Sequence, residues 1–251
     1  MAKRRIDSLM VERGLAETRS QAQALLMAGK VMVGDRTITK AGTLVPEEVE
    51  LSLRESLPYV SRGGIKLAHA LDEFHIDVAS MVAVDIGAST GGFTDCLLQR
   101  GAARVYAVDV GRGQMDHRLR QDPRVVLMER VNARYPFLLP EKANIATIDV
   151  SFISATRVIP SAASVLKPGS PVVVLLKPQF EARREEVGKG GIIKDPQLHA
   201  RVLGRFIVWA VDHRFRLRGL VPSPIAGASG NQEFLVLLTT PPAPQSPAGD
   251  A

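Results

Sequence analysis

The string VAVDIGASTGGFTDCLLQRGA, residues 82–102, sets an apolar run, an acid, a glycine-rich turn and the start of a helix in succession. Glycine permits a tight turn and close approach of a ligand to the backbone, and a helix N-terminus near Gly91 offers free N–H groups. Ser89 breaks the G-x-G-x-x-G spacing, and no G-K-[ST] follows, so neither the dinucleotide nor the P-loop fingerprint is present. Asp85, ahead of the glycines, would repel a pyrophosphate but suits a cationic amine. Asp109 closes the next apolar run, where an acid accepts hydrogen bonds from a ribose diol. A turn flanked by these two acids suggests S-adenosyl-L-methionine, a methyl donor. The expected cofactor contacts are Asp85, Gly87, Ser89, Gly91, Phe93 and Asp109.

Three further polar residues sit at the ends of apolar runs. Asp149 ends a run in IDVSFIS, Lys177 follows Val172–Leu176 and precedes Pro178, and Glu233 opens Phe234–Leu238 in SGNQEFLVLL. Ligands of open α/β sheets bind outside the carboxyl ends of the strands, so Asp149 and Lys177 point to one place. A lysine beside a proline at such an end has no evident packing task. Glu233 by itself is a charged strand edge. Lys66 falls on the polar face of a helix expected over Gly63–Phe74, where lysines belong. Ile65, Ala68, Leu71 and Phe74 form that helix's apolar stripe, opposite Lys66, His69, Ala70 and Glu73.

The elements that must position these residues alternate. Met81–Ile86, Val105–Asp109, Val125–Leu127, Ile145–Asp149 and Pro171–Leu176 are short apolar runs with helical patterns between several of them. The rhythm predicts an α/β fold with a doubly wound, Rossmann-like parallel sheet. A helix over Pro196–Val211 and a last strand over Phe234–Leu238 complete it. Residues 1–56 form a separate small α+β unit. It has a helix over Ile6–Arg13, a second helix after the N-cap Thr18 with Gln21 in the capping-box position, and strands at Val31–Val33 and Val49–Leu53 around a Gly34-Asp35 turn. Residues 57–62 are a linker, 63–240 the larger domain, and the proline-rich 241–251 a disordered tail.

With 251 residues, 45% hydrophobic and 23% charged, the chain has ordinary globular composition. Its apolar runs are far too short to span a bilayer, and the N-terminus lacks the apolar core of a secretory signal. A single cysteine, Cys96, excludes an internal disulfide and a Cys-built zinc site, and the five histidines show no metal spacing. No metal is expected, and a reducing cytoplasm is the default location. The net charge of +6 points to a polyanion, with nucleic acid leading. In residues 1–45, Lys3, Arg4, Arg5, Arg13, Arg19, Lys30, Arg36 and Lys40 outnumber Asp7, Glu12, Glu17 and Asp35. That excess fits a solvated surface or phosphate contact equally.

The stretch RIDSLMVERGLAETRSQAQALLMAGKVMVGDRTI resembles the small RNA-binding domain first named for ribosomal protein S-four. The resemblance places Arg19, Ser20, Gln21 and Lys30 against RNA, and Arg4 and Arg62 are added as basic neighbours. YVSRGGIKL, DIGASTGGFTD, AVDVGRGQ, DVSFIS, LLKPQFE, VGKGGIIKDPQLH and SGNQEFL are together similar to the TlyA family, over roughly residues 3–238. These are ribosomal-RNA 2′-O-methyltransferases, also called haemolysin A-like proteins, which join the RNA-binding unit to an FtsJ-type methyltransferase domain.

The resemblance implies a Lys–Asp–Lys–Glu tetrad at Lys66, Asp149, Lys177 and Glu233. It implies a cytidine ribose in the large-subunit and in some members the small-subunit RNA, and the expected partner is that RNA within ribosomal subunits or the 70S particle. Lys177 is expected to act as base or hydroxyl anchor, with the other three positioning it; sequence does not say which lysine loses its proton. Arg112, Arg118, Arg120, Arg183, Arg184, Lys189 and Lys194 can extend the RNA surface. The loop Gly188–Gly191 is either a cover for the substrate or an ordinary surface loop. The linker reads LPYVSRG where a tryptophan can precede Val-Ser-Arg-Gly in the family. Competing readings are an assembly factor with an inactive methyltransferase fold, a base or tRNA methyltransferase, and a haemolysin, for which no membrane segment is visible.

Overall fold

The computed structural model describes residues 3–53, 57–188 and 190–242. Lys189 and most of the expected tail, from residue 243 on, lie outside the described residues. The chain divides into two compact units between Leu57 and Pro58.

In the first unit, β1 (Lys3–Arg5) runs straight into α1 (Ile6–Glu12). Then come α2 (Arg19–Met27), β2 (Val31–Val33), β3 (Arg36–Ile38), β4 (Leu44–Pro46) and β5 (Leu51–Leu53). The sequence led to fewer strands. Gly34-Asp35 turns β2 into β3, with Val33 opposite Arg36, and Val31–Val33 also pairs with β5 on its other edge. A separate antiparallel pair joins β1 to β4. The missed strands read KRR, RTI and LVP, mixing charge or proline into three residues, so they leave no apolar run such as Val31–Val33. Thr18 caps α2, accepting from Gln21 N at 3.2 Å, while the Gln21 side chain accepts from Glu17 N rather than from the cap itself.

Ile6, Leu9, Met10, Ala22, Leu26, Val31 and Val45 form this unit's core. Beside them Asp7 is fully buried. Its carboxylate accepts from Arg5, Arg19, Gln23 and the Ser8 backbone N–H. The Arg5 guanidinium, helped by Gln23 and Arg19, holds the Asp7 carboxyl well below the usual carboxylate range, against the opposing effect of burial.

The second unit contains α3 (Arg62–Glu73), β6 (Val82–Ile86), α4 (Gly92–Gln99), β7 (Arg104–Asp109), α5 (His117–Gln121), β8 (Val125–Glu129) and β9 (Ile145–Ile148). It continues with α6 (Ile159–Ser164), β10 (Pro171–Leu176), α7 (Pro178–Glu181), α8 (Pro196–Asp212), β11 (Arg216–Pro222) and β12 (Phe234–Thr239). One sheet runs in the order β11-β12-β10-β9-β6-β7-β8. From β10 to β8 it is parallel; β12 is antiparallel to β10, and β11 to β12.

Alternation along each strand builds a core on both faces. Val172, Val174 and Leu176 pack with α6 and α8 residues such as Ile159 and Phe206. Val173 and Leu175 pack on the other face with Leu67 and Leu71 of α3 and Leu97 of α4. The strand β11 was not foreseen: Arg216-Leu-Arg-Gly-Leu-Val-Pro mixes charge with apolar residues and carries an irregularity between Leu217 and Gly219. Thr240 is buried, and the Pro241 carbonyl, at the first position of the expected tail, accepts from Gly169 N.

The buried face of α3 is rotated from the expected one. Gly64, Lys66, Leu67, Ala70 and Leu71 are buried, whereas Ile65, Ala68 and Phe74 are only partly covered. Gly63 faces Phe93 and Gly92 of α4, so the helices approach along their smallest residues and carry Lys66 inward.

Because the Asp7 pKa is depressed on folding, its contribution to stability is present above the unfolded value of about 4 and is lost as pH falls below it. Amide protection factors for residues 3–53 are expected to drop between about pH 5 and pH 3. Asp7→Asn should already be less protected at pH 7 and should change less over that range.

Candidate active site

The strand order reverses at β6: the chain goes outward to β7 and β8, then returns to place β9 on the other side. Loops leaving β6 and β9 therefore diverge at their carboxyl ends and open a crevice. Gly87, with φ +82°, lets the first loop lie directly against the Asp149 carbonyl, where a β-carbon would collide. Ser89 also has a left-handed backbone, φ +48°, and its N–H donates to Asp109 Oδ2 at 2.8 Å. Gly111 N donates to Asp109 Oδ1 at 2.6 Å. Each carboxylate oxygen keeps a further lone pair, so Asp109 can still accept from a diol.

A cavity of about 350 Å³ occupies the crevice, lined by Gly87, Ser89, Val108, Asp109, Val110, Gln114, Val131, Asn132 and Asp149–Ile153, among others. A second, of about 180 Å³, is lined by Ser61, Gly63, Lys66, Gly87–Thr90, Gly92, Phe93 and Asp149. Gly87, Ser89 and Asp149 belong to both walls. The residues fit an S-adenosyl group: valines for a base, Asp109 for a ribose, and Thr90 with the first turn of α4 for an amino-acid end.

The expected cofactor residues divide. Gly87, Ser89, Phe93 and Asp109 line the cavities; Gly91 caps α4 with φ +94°. Asp85, expected among them, lines neither cavity. It lies on the face of β6 that packs toward α4, is fully buried, and accepts from Thr94 Oγ1 at 2.7 Å and Thr147 Oγ1 at 3.0 Å. Burial pushes its carboxyl up to about 7, with the two threonines pulling the other way.

Strand register assembles the other set. Leu176 pairs with Phe234, so the next residues, Lys177 and Glu233, lie at one end of β10 and β12. Val174 pairs with Ile148 on the opposite side, which brings the loop starting at Asp149 beside Lys177. Lys177 Nζ lies 2.7 Å from Asp149 Oδ1 and donates a hydrogen bond to Ser151 Oγ at 2.9 Å. Lys66, only 8% exposed, forms a short ion pair with Glu233, 3% exposed. The arrangement is two lysine–carboxylate pairs, of which Lys66 and Asp149 line the second cavity, able to orient or exchange protons. Among the described residues no group of three His, Cys, Asp or Glu could hold a metal ion.

Sequence reasoning passed over Ser151 and Phe152. Phe152 is 92% exposed on the cavity wall, has φ +63°, and its ring centroid lies 5.2 Å from that of Phe180. A phenylalanine among polar residues in the string DVSFIS, three positions after Asp149, was the signal available.

Of the residues expected to meet RNA, Arg19, Ser20, Gln21 and Lys30 are exposed on the first unit. Arg19 is oriented by Asp7 through its Nε, leaving its outer nitrogens free of that contact. Arg4 is engaged by Glu12 at 2.8 Å and Glu47 at 3.1 Å, so its charge is largely matched within the unit. Arg62, in the second unit, donates to the Ala226 carbonyl at 2.6 Å.

Comparison with known proteins gives consistent results. The family described as FtsJ-like methyltransferase matches residues 59–240, and the S4 domain matches residues 4–51. The chain is 49% identical over 246 residues to YqxC of Bacillus subtilis, covering 95% of this chain and 86% of that one. It is 42% identical over 245 residues to the 16S/23S rRNA (cytidine-2′-O)-methyltransferase TlyA of Mycobacterium tuberculosis, covering 96% and 91%. A solved structure of a hemolysin-named protein from Streptococcus thermophilus superposes with a TM-score of 0.74 at 46% identity, covering 99% and 92%.

A carboxyl whose pKa is raised by folding binds more protons in the native state, so stability falls as pH rises from about 4 to about 7 and then levels. The melting temperature of Asp85→Asn minus that of the wild type is therefore expected to grow between pH 5 and pH 8. A difference independent of pH would contradict the buried, uncompensated state of Asp85.

Proposed function

We propose, from the premise that this chain belongs to the FtsJ-like methyltransferase family, that it methylates ribose 2′-hydroxyls of ribosomal RNA, at cytidine, using S-adenosyl-L-methionine. The observation that carries the reading is the double lysine–carboxylate arrangement of Lys66 with Glu233 and Lys177 with Asp149 beside the cavities. A ribose hydroxyl must be deprotonated, or nearly so, to attack carbon, and it must be held in line. The cofactor supplies a methyl group already activated on a sulfonium, so the protein's task is binding, orientation and the fate of one proton.

In this reading Asp109 and Ser89 hold the nucleoside end of the cofactor, while Gly87, Thr90 and Phe93 border its amino-acid end. Lys177 takes or anchors the 2′-hydroxyl proton. Asp149 and Ser151 fix its amine, and the Lys66–Glu233 pair closes the opposite side. Phe152 offers a ring on which an unstacked base can lie, as enzymes that act on single nucleotides need.

The basic first unit, with Arg19, Ser20, Gln21 and Lys30, binds the RNA through phosphates. The S4 domain and the rRNA substrate in the name of the Mycobacterium relative support an RNA partner. We extend this to ribosomal subunits or the 70S particle, met in the cytoplasm. The hemolysin name of the Streptococcus protein belongs to that protein; in this chain no helix among the described residues is long and apolar enough to cross a membrane.

Tritiated methyl transfer to ribosomal subunits tests the chemistry. Lys177→Ala is expected to lose on the order of 10²–10⁴-fold in kcat while keeping cofactor affinity and melting temperature. Lys177→Arg should fail nearly as badly if the amine is a base, because a guanidinium stays charged. Near-normal turnover by Lys177→Ala would sink the tetrad assignment. Binding is tested separately by titrating salt: Lys30→Ala should weaken subunit binding, reduce the log–log salt slope by about one, and leave kcat at saturation unchanged.

A further inference from the structure

We infer that Glu181 is a positioning residue for methyl transfer, fixing the loop that carries Asp149 and Ser151 against the segment that begins at Lys177. The inference rests on the tetrad reading above and deepens it.

Lys177 caps the four-residue helix α7, and Glu181 is that helix's last residue. The Glu181 carboxylate accepts from Ser154 Oγ at 2.5 Å and from Ala155 N at 2.6 Å. Both donors belong to the loop that leaves β9 with Asp149 and Ser151. The segment 177–181 therefore grips the loop 149–155 at two points. Lys177 meets Asp149 and Ser151 at one end, and Glu181 meets Ser154 and Ala155 at the other. Between the two grips Phe152 and Phe180 pair their rings.

The gripped loop needs holding. Phe152 stands at φ +63° with its side chain in solvent, a backbone state that persists only where flanking structure imposes it. Glu181 makes no ion pair among the described residues, and its donors are a hydroxyl and an N–H. Burial pushes its carboxyl up, against these two hydrogen bonds. A partly buried carboxylate without a cation is a costly way to join two loops unless their spacing matters. Both Glu181 carboxylate oxygens are occupied by Ser154 and Ala155, so it acts through the loop and not on the cofactor or substrate.

The test compares full-length Glu181→Ala, Glu181→Gln and Lys177→Ala in methyl transfer to ribosomal subunits, with cofactor titration and melting temperature. Loosening the loop by about 1 Å is expected to lower kcat of Glu181→Ala by roughly 10–100-fold. The subunit KM should stay within about twofold, and the cofactor Kd, set chiefly by Asp109 and Ser89 on the other loops, should change far less than kcat. Glu181→Gln keeps an acceptor oxygen and should regain most of the rate. A glutamate that only stabilised the fold would lower the melting temperature and degrade cofactor binding in step with turnover. That result, or near-normal kcat for Glu181→Ala beside an inactive Lys177→Ala, would overturn this inference and leave the tetrad standing. Normal turnover by Lys177→Ala would overturn both.

Discussion

The ion pair between Lys66 and Glu233 is the constraint on which the site depends. Both groups are almost sealed from solvent, and they come from opposite ends of the second unit's sequence, α3 and the start of β12. An unpaired charge there would cost several kcal/mol, so each residue is tolerable only in the presence of the other. The pair obliges α3 to turn its Lys66 face inward, and that orientation in turn requires the glycine contact of Gly63 with Gly92 and Phe93. Helix α3, the cofactor turn and the last strand are thereby locked to one geometry.

The second lysine pair is built differently. Lys177, Asp149 and Ser151 sit just past the ends of neighbouring strands, so their spacing follows from backbone register and not from burial. Register cannot drift by one residue without turning every side chain to the other face. On these strands both faces are packed with Val, Ile and Leu. The apolar runs that give the sheet its stability thus also set the distance between an acid and an amine.

Much of this was legible in the sequence where a long apolar run ended in a polar residue. Asp109, Asp149 and Lys177 were readable in that way, as was the alternation of strands and helices. Lys66 was not readable from periodicity, because a stripe of Ile65, Ala68, Leu71 and Phe74 is as plausible a buried face as the true one until α4 and Glu233 are in place. Asp85 misled for a related reason. An acid before a glycine-rich turn suggests a ligand, but the parity of β6 aims it at Thr94 and Thr147 instead. The short strands β1, β3 and β4 of the first unit and the charged edge strand β11 carry too little apolar pattern to be found, whereas the valines of β2 were enough.

The reversed direction of β12 has a consequence in time. A parallel strand delivers its last residue to the ligand edge, but an antiparallel one delivers the residue before its first, which is why Glu233 can reach Lys66. Since β12 inserts between β10 and β11 after every other described strand has been made, a growing polypeptide holds Lys66 without its counter-charge until the final stretch emerges. Vectorial synthesis therefore completes the charge set last, and a nascent chain that stops short of Glu233 is a sheet without its closing strand and a lysine without its acid.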